Sequence, residues 1–562
     1  MNWWNQLLNN EVFIYGLFAI LAFSPMVVYM FLVPRMLHVM QLEGYQFQDY
    51  IRWVTKNPKK AFGSGIKQLL ICGIAYFLLM VGARFWISQV NPSRESITNV
   101  LSYIGYGMYV VFCIVNILQI MKDRKERKNA KKGLVYTARA KRLVFWNFIL
   151  LLLLSLTYVF DKLFITQLMI YSIFVALLPV SMLLANWFAW PTERWVKEHY
   201  VSSARRKLKK KEYQNLIRIG ITGSYGKTST KYILKTILSE KYNVLATPES
   251  YNTTMGNVRI IREQLKPEHE VFISEMGARY PHDIAEICEF VRPQIGLITS
   301  IGPQHLETFK TIDKIVSTKA ELIRSLDDNG VVVLPRDNEY CQKLYGQEKR
   351  KKYCYTMRSK NADVYAKEIT LNENGSNFIA VTKIGEINCT TKLLGEHNIE
   401  NVLGAITIAV HLGLTKEQIE AGVAKIEPVP HRLQILNNNN GTIVIDDAFN
   451  SNPVGAKMAL DVLKSFKGRK IIITPGMVEL GESEEKENQK FGRHMADCTD
   501  IAILVGAKRS EPIVKGLREG KFDEMNIHVV ANLEEATAKL AEISQVGDVI
   551  LFENDLPDNY NE

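Results

Sequence analysis

The segment Ile219-Gly-Ile-Thr-Gly-Ser-Tyr-Gly-Lys-Thr-Ser229 carries the residue types of a phosphate-binding loop. Glycines let backbone N–H groups converge on a phosphate at a helix N-terminus, where the helix dipole also favours negative charge. In such a loop Gly223, Ser224, Tyr225, Gly226 and Ser229 would wrap the phosphates, Lys227 would bring a positive charge to the terminal ones, and the Thr228 hydroxyl would reach Mg²⁺. The spacing is not the commonest one: Gly220 leaves five residues and Gly223 only two before Gly226-Lys227-Thr228, where four are usual. A Gly-Lys-Thr triplet also arises by chance, but a strand pattern before it and a helix pattern after it favour a nucleotide loop.

Other polar positions read blandly one at a time. Glu275 is a carboxylate at a strand end, His305 a single imidazole, Lys319 a single cation, Asn398 a helix-cap candidate, and Asp446-Asp447 a strand-terminal turn.

The elements that must position these groups follow an α/β pattern from about residue 213 onward. Strands are expected at Leu216–Thr222, Val271–Ser274, Ile295–Thr299 and Val331–Leu334. A helix is expected over Lys227–Glu240, with Ile233, Leu234, Ile237 and Leu238 on one face. A second α/β unit starts near His431. It opens with a hairpin, Leu433–Leu436 and Thr442–Ile445 around Asn440-Gly441, and continues with strands at Lys470–Thr474, Ala502–Val505, Ile527–Val530 and Val549–Phe552.

The chain of 562 residues is electrically two proteins. Met1 to Lys211 holds 27 Lys or Arg against 9 Asp or Glu, whereas Glu212 to Glu562 holds 42 against 49. The overall +11 therefore argues for no nucleic-acid partner, because the excess sits between apolar runs. Five such runs are long enough to cross a bilayer: Glu11–Val33, Ile66–Ser88, Asn99–Met121, Val144–Phe160 and Phe164–Phe188. Basic residues gather in alternate loops, around Arg52 to Lys60, Lys122 to Arg142 and Arg194 to Lys211. The alternation predicts a multi-pass protein of a bacterial cell membrane with its N-terminus outside and everything after Pro191 cytoplasmic. The first run has no positive flank or cleavage pattern and is not expected to be a signal peptide. The 7 cysteines form no C-x-x-C pair, so neither a zinc ribbon nor a disulfide framework is expected. The expected domains are thus a transmembrane domain over 1–195, a basic linker over 196–212, and α/β domains over 213–430 and 431–562.

The form Thr-Gly-Ser-x-Gly-Lys-Thr-Ser resembles the ATP loop of the Mur ligases, the ATP-dependent amide ligases of peptidoglycan synthesis, and of the related folylpolyglutamate and poly-γ-glutamate ligases. Further segments are similar in order and spacing: Ile273-Ser-Glu-Met-Gly-Ala-Arg279, Ser300-Ile-Gly-Pro-Gln-His-Leu-Glu-Thr-Phe309, Ile315-Val-Ser-Thr-Lys-Ala-Glu-Leu322, Gly395-Glu-His-Asn-Ile-Glu-Asn401, Pro428-Val-Pro-His-Arg-Leu433 and Ile445-Asp-Asp-Ala-Phe-Asn-Ser-Asn-Pro453. The resemblance covers about residues 217 to 545. It implies a P-loop-type central ATPase domain, a Rossmann-like C-terminal domain, ATP as co-substrate and two Mg²⁺ ions. It also implies residue roles: Glu275 and His305 as metal ligands with Thr228, Lys319 as a carbamylated lysine, Asn398 and Asn401 near the adenine, Arg432 at the phosphates, and Asp447 at the ribose.

Within the family, Asp-Asp-Ala-Phe-Asn-Ser-Asn-Pro, Glu-Met-Gly-Ala and Met477-Val-Glu-Leu-Gly-Glu482 lean toward the branch that adds D-alanyl-D-alanine to a muramoyl tripeptide. Tyr251-Asn-Thr-Thr-Met-Gly256 instead resembles the acceptor motif of the diamino-acid-adding branch, making Asn252, Thr253 and Thr254 substrate candidates. Apolar runs stand where the family has its sugar-nucleotide domain, and Phe552-Glu-Asn-Asp-Leu-Pro-Asp-Asn-Tyr560 replaces its closing Lys-Gly-Ser. The expected function is a membrane-anchored ligase that activates an envelope-precursor carboxylate, small-molecule or lipid-linked, as an acyl phosphate for an amino acid or dipeptide. A polymerising poly-γ-glutamate-type ligase and a non-catalytic ATP-binding scaffold are the alternatives.

Overall fold

The computed structural model describes residues 11–90, 94–128, 132–155, 164–249, 251–304, 306–437, 441–449 and 451–555. The chain divides into two compact units, one reaching Val196 and one starting at Lys197.

The first unit is helical: Glu11–Leu42, Phe47–Lys56, Pro58–Val90, Arg94–Lys128, Ala138–Ser155, Phe164–Ala176 and the first part of Leu178–Leu208. Tyr29, Met36, Met40, Tyr50, Phe112, Tyr171 and Met182 are among its buried side chains. The five expected crossings are not all found. Among the described residues, Pro58–Val90 is the one unbroken helix long and apolar enough to span a bilayer. Ile170–Ala176 and Leu178–Leu208 qualify only as a pair, bent by 82°. The break has a local cause: Pro179 has no N–H to continue the preceding helix, but it fits the first turn of a new one. The other three expected spans extend into residues 11–25, 99–103 and 155–160, which lie outside the described side chains.

The second unit holds two sheets. The first contains β1 (Ile217–Thr222), β2 (Val244–Ala246), β3 (Val271–Glu275), β4 (Ile295–Ile298), β5 (Val331–Pro335), β6 (Lys351–Thr356), β7 (Val364–Asn372), β8 (Gly375–Thr382) and β9 (Gly385–Thr391). Their order is β2-β3-β1-β4-β5-β6-β7-β8-β9, parallel through β7 and antiparallel beyond. Its central strands are buried on both faces, which explains their near-continuous apolar sequences. The direction of winding reverses at β1, flanked by β3 and β4, and such a switch point opens a crevice at the carboxyl ends of the strands.

The second sheet contains β10 (Gln434–Asn437), β11 (Ile443–Asp447), β12 (Lys470–Thr474), β13 (Ile501–Val505), β14 (Ile527–Val530) and β15 (Val549–Glu553), in the order β10-β11-β15-β12-β13-β14. The hairpin pairs antiparallel, with Leu436 opposite Val444, and the remaining pairs are parallel.

Two departures from expectation have physical reasons. The charged stretch read as a linker is helical to Leu208, because Val201, Ala204 and Leu208 recur at helical spacing and are buried with Tyr213, Leu216 and Val258. Strands β6 to β9 were not expected; β9 alternates buried with exposed residues, and its outer face, Glu386, Asn388 and Thr390, is polar.

Candidate active site

The carboxyl ends of β1, β3, β4 and β11 border one cavity of about 660 Å³. Its wall includes Ser224 to Ser229, Asn252, Glu275, Asn398, Asn401, Arg432 and Asp447. Gly223, Thr253, Thr254 and Lys319 lie outside that wall, and His305 lies outside the described residues.

The loop after β1 is held from both sides. Ser224 donates its backbone N–H to Ser300 O at 2.7 Å, and its hydroxyl donates to Gly302 O at 3.0 Å. Thr299 donates to Tyr225 O, and the Tyr225 hydroxyl to Pro303 O at 3.2 Å. The segment similar to the family's histidine motif therefore buttresses the loop. Gly226 caps the helix Lys227–Leu238 at φ 77°, and a Cβ there would stand 2.5 Å from Asn401 Oδ1. Positive φ and lack of space together require glycine at this position.

Asn401 also accepts from Thr230 Oγ1 at 3.0 Å and donates to Asn398 Oδ1 at 3.3 Å. Asn398 in turn donates to Leu394 O at 2.9 Å. The cap of this helix is Gly395 rather than Asn398, so the cap reading is corrected. Asn401, held by Asn398, instead ties the helix Glu396–His411 to the helix Lys227–Leu238 that follows the phosphate loop.

Cations crowd this end of the cavity. Lys227 Nζ donates to Gly223 O at 2.7 Å and Ser224 O at 3.1 Å. Burial pulls its ammonium down to about 8; Glu275 opposes the shift and Arg432 adds to it. Lys231 is fully buried and ion-paired with Glu275 at 2.9 Å. Arg432, from the segment before β10, places a guanidinium nitrogen 3.5 Å from Thr228 Oγ1 and lies 4.6 Å from the Phe449 ring centroid. Glu275 acts on Lys227, Lys231 and Arg432 together, and Asp447 on Arg432 as well; such a gathering of cations suits a polyphosphate.

Glu275 ends β3 fully buried and accepts from Thr228 Oγ1 at 3.0 Å, from Asn252 Nδ2 at 3.2 Å and, on its other oxygen, from Lys231. A hydroxyl and a carboxylate oxygen side by side are hard donors, which fit Mg²⁺. Thr253 spends its hydroxyl on Gly256 N, capping the helix Thr254–Glu263. The structure thus brings Asn252 into the site and leaves Thr253 and Thr254 at a helix start behind it.

Lys319 closes the helix Ile312–Lys319 and is 3% exposed. Burial, followed by repulsion from Lys227, lowers its ammonium to about 7, with Asp283 and Glu321 pulling the other way. Burial and the Lys227 charge thus favour the free amine, the form that combines with CO₂.

On the opposite wall Asp447 is driven up to about 8, first by burial and then by Glu553, its partner in the β11–β15 register. Glu553 is itself pushed to about 7 by burial, although the hydroxyls of Ser451 and Thr474 donate to it. Thr474 stands 2.6 Å away. A carboxyl whose folded value lies above its unfolded one binds extra protons when folded, so stability is lost as pH rises from about 4.5 through about 7. Glu553→Gln should remove a penalty on the order of 3 kcal/mol at pH 8 and none at pH 4. Thermal melts at both values check this; equal changes at the two would refute it.

Sequence reasoning missed Lys231, Phe449, Glu553 and a cluster lining the far end of the cavity, Asp337, Arg358, His397 and Glu400. There burial lowers His397 to about 4 and raises Glu400 to about 7, with Asp337 adding to the rise.

The model of the Mur ligase middle domain matches residues 221–409, and that of the Mur ligase, glutamate ligase domain matches 431–553. The UDP-N-acetylmuramoyl-tripeptide--D-alanyl-D-alanine ligase of Buchnera aphidicola subsp. Baizongia pistaciae is 33% identical over 324 residues, 58% of this chain and 70% of that one. Its counterpart from Escherichia coli is 30% identical over 52% of this chain and 65% of its own length. Among solved structures, MurF from Acinetobacter baumannii superposes with a TM-score of 0.58 at 26% identity, covering 65% of this chain and 78% of that one. MurF from Thermotoga maritima in complex with ADP gives 0.57 at 25% identity, covering 64% and 80%. The chain thus spans roughly two thirds of the length of the curated relatives it matches. With the loop, the strand-end carboxylate and the bridging arginine in one cavity, this chain belongs to the Mur ligase family of ATP-dependent acid–amino-acid ligases.

Proposed function

We propose that this ligase joins D-alanyl-D-alanine to the terminal carboxylate of a muramoyl-tripeptide precursor at a membrane surface, converting ATP to ADP and phosphate. The 33% identity to an enzyme named for that peptide addition carries the reading. The acceptor carboxylate attacks the γ-phosphorus of ATP, and the amine displaces phosphate from the resulting acyl phosphate to form the amide. No side-chain nucleophile is needed. Lys227 and Arg432 neutralise the charge that develops on the phosphates, while the loop N–H groups orient them. Mg²⁺ held by Thr228 and Glu275, with a second ion at His305, would supply further charge neutralisation. Asn398 and Asn401 would border the adenine and Asp447 the ribose. Asn252, beside Glu275, would sense the acceptor, with Thr253 and Thr254 shaping its loop.

Lys319 is proposed to work as a carbamate. Buried amine and neighbouring cations favour a form that is anionic once CO₂ is bound. With ¹³C-labelled bicarbonate, the wild type should show a carbamate carbon that Lys319→Arg lacks, and CO₂-free buffer should suppress turnover reversibly. Unchanged turnover in CO₂-free buffer would remove this role.

The membrane setting rests on the first unit. Ile66, Leu70, Ile74, Phe77, Leu78 and Phe85 of Pro58–Val90 are exposed, an apolar surface that water does not favour and acyl chains do. Placed in a bacterial cell membrane with the N-terminus outside, this unit would hold the α/β domains on the cytoplasmic side, within reach of lipid-linked precursors.

The test is ADP release by detergent-purified full-length protein, supplied with UDP-linked tripeptide plus D-alanyl-D-alanine, or with a membrane-lipid extract plus an amino-acid pool. Turnover on the first pair supports the proposed reaction. Turnover on the extract alone moves the acceptor to a lipid-linked carboxylate. Repeated addition of one amino acid points to the polymerising ligase, and ATP binding without turnover to the scaffold.

A further inference from the structure

Away from the cavity, three side chains of different chemistry converge on the second sheet's domain. Asp461 lies on the helix Pro453–Ser465, His494 on the helix Glu484–Ala496, and Cys498 two residues beyond that helix. One ligand atom from each falls within 4.8 Å of the others. His494 Nε2 stands 2.8 Å from Asp461 Oδ1 and 3.7 Å from Cys498 Sγ. We propose that Asp461, His494 and Cys498 form a site for one thiophilic divalent cation, with zinc as the best chemical match.

The His494–Cys498 separation fits as it stands, and the half-exposed Asp461 carboxylate must draw back from His494 by about 0.5 Å. Tetrahedral zinc, with nitrogen at about 2.0–2.1 Å and thiolate at about 2.3 Å, sets the two ligands roughly 3.5 Å apart. Imidazole, thiolate and carboxylate together select zinc over Mg²⁺, which prefers oxygen alone. Lys457 binds the other oxygen of Asp461 at 2.8 Å, turning Oδ1 toward His494 as outer-shell partners of ligands do. Cys498 is 2% exposed, whereas the Asp461 side chain is 45% exposed. The site therefore has a buried thiol floor and an open side for entry and for a water as fourth ligand.

Binding balances simply: the cation displaces the thiol proton of Cys498, and the His494 proton moves to Nδ1 so that Nε2 offers its lone pair. The consequence is mechanical. The first helix is capped by Asn452, in the cavity wall, and Asn488 of the second holds both the N–H and the carbonyl of Met477 at 2.9 Å. A cation across the two helices would tie the one that Asn452 caps in the cavity wall to the one whose Asn488 holds Met477.

The experiment is a Co²⁺ titration of chelator-treated full-length protein in excess Mg²⁺, which occupies oxygen-only sites. One Co²⁺ per chain is expected, with thiolate-to-metal charge-transfer absorption that Zn²⁺ abolishes by displacement. Cys498→Ser should lose the band, and His494→Ala should weaken binding roughly tenfold or more. Absence of the band in the wild type overturns the proposal without reference to any variant's folding; so does its persistence in Cys498→Ser. Either result leaves the ligase reading untouched, since no catalytic group is involved.

Discussion

Lys227→Ala should lower ADP release by roughly 10³-fold, the scale of losing a preorganised donor from a site where charge develops. The side chain sits at the junction of loop and helix with its ammonium folded onto two loop carbonyls, and the loop is held as well by the bonds of Ser224, Tyr225 and Thr299, which remain when the ammonium is removed. Truncation therefore removes charge without removing the cradle, and ATP binding should weaken less than turnover. The free ammonium is held near 8, so ATP capture has a pH signature. Above that value the lysine loses its proton before nucleotide arrives, and kcat/KM for ATP should fall as pH rises from 7 to 9. Lys227→Arg, charged throughout, should lose that pH dependence even if its rate is low. Steady-state ADP release across the pH range checks both statements. A Lys227→Ala enzyme within tenfold of wild type would mean that the loop does not handle the γ-phosphate.

The parts of this site that were legible in the sequence are those whose chemistry is local. Gly223 to Thr228 is contiguous, its glycines are demanded by backbone geometry, and the flanking periods change from strand to helix across it. Glu275 became legible only through the family resemblance, since a carboxylate after the run Val271–Ser274 reads by itself as a solvated strand end. Lys231 was not, because a single lysine in an amphipathic helix ordinarily faces water. Its signal lay in register: it is four residues from Lys227 and shares a face with Leu234 and Leu238, so its charge had to enter the core and find a partner. The Ser202–Lys211 segment hid its helix in the same way, since six basic residues outweigh Val201, Ala204 and Leu208 in any composition count. Glu553 depended on tertiary pairing alone: only the β11–β15 register sets it beside Asp447. The apolar runs of the first unit announced helices, but apolarity cannot foresee a break such as the one before Pro179.

Removing Glu275 should reveal two functions of one carboxylate. Its Oε1 faces Thr228 and Asn252 in the cavity, while Oε2 neutralises the buried Lys231. Breaking a buried ion pair from one side leaves an uncompensated charge, at a cost of about 3–5 kcal/mol. Glu275→Ala should therefore lose both activity and a large part of the domain's stability, and the loss of activity alone would not identify a metal ligand. Lys231→Met placed in the same chain removes the stranded charge and fills its volume. The double variant should regain most of the melting temperature, because replacing both partners of a buried pair by apolar groups is close to neutral. It should regain no turnover, because the oxygen ligand beside Thr228 is still missing. Lys231→Met alone would remove the hydrogen-bonded cation of Glu275 and leave it only Lys227 and Arg432, so it should destabilise the protein less than Glu275→Ala while retaining some Mg²⁺-dependent ATP turnover. Calorimetry and ADP release on the four proteins of this cycle separate the roles. Recovery of activity in the double variant would assign Glu275 a purely structural duty; failure of stability to recover would show that Lys231 is held by contacts other than the ion pair.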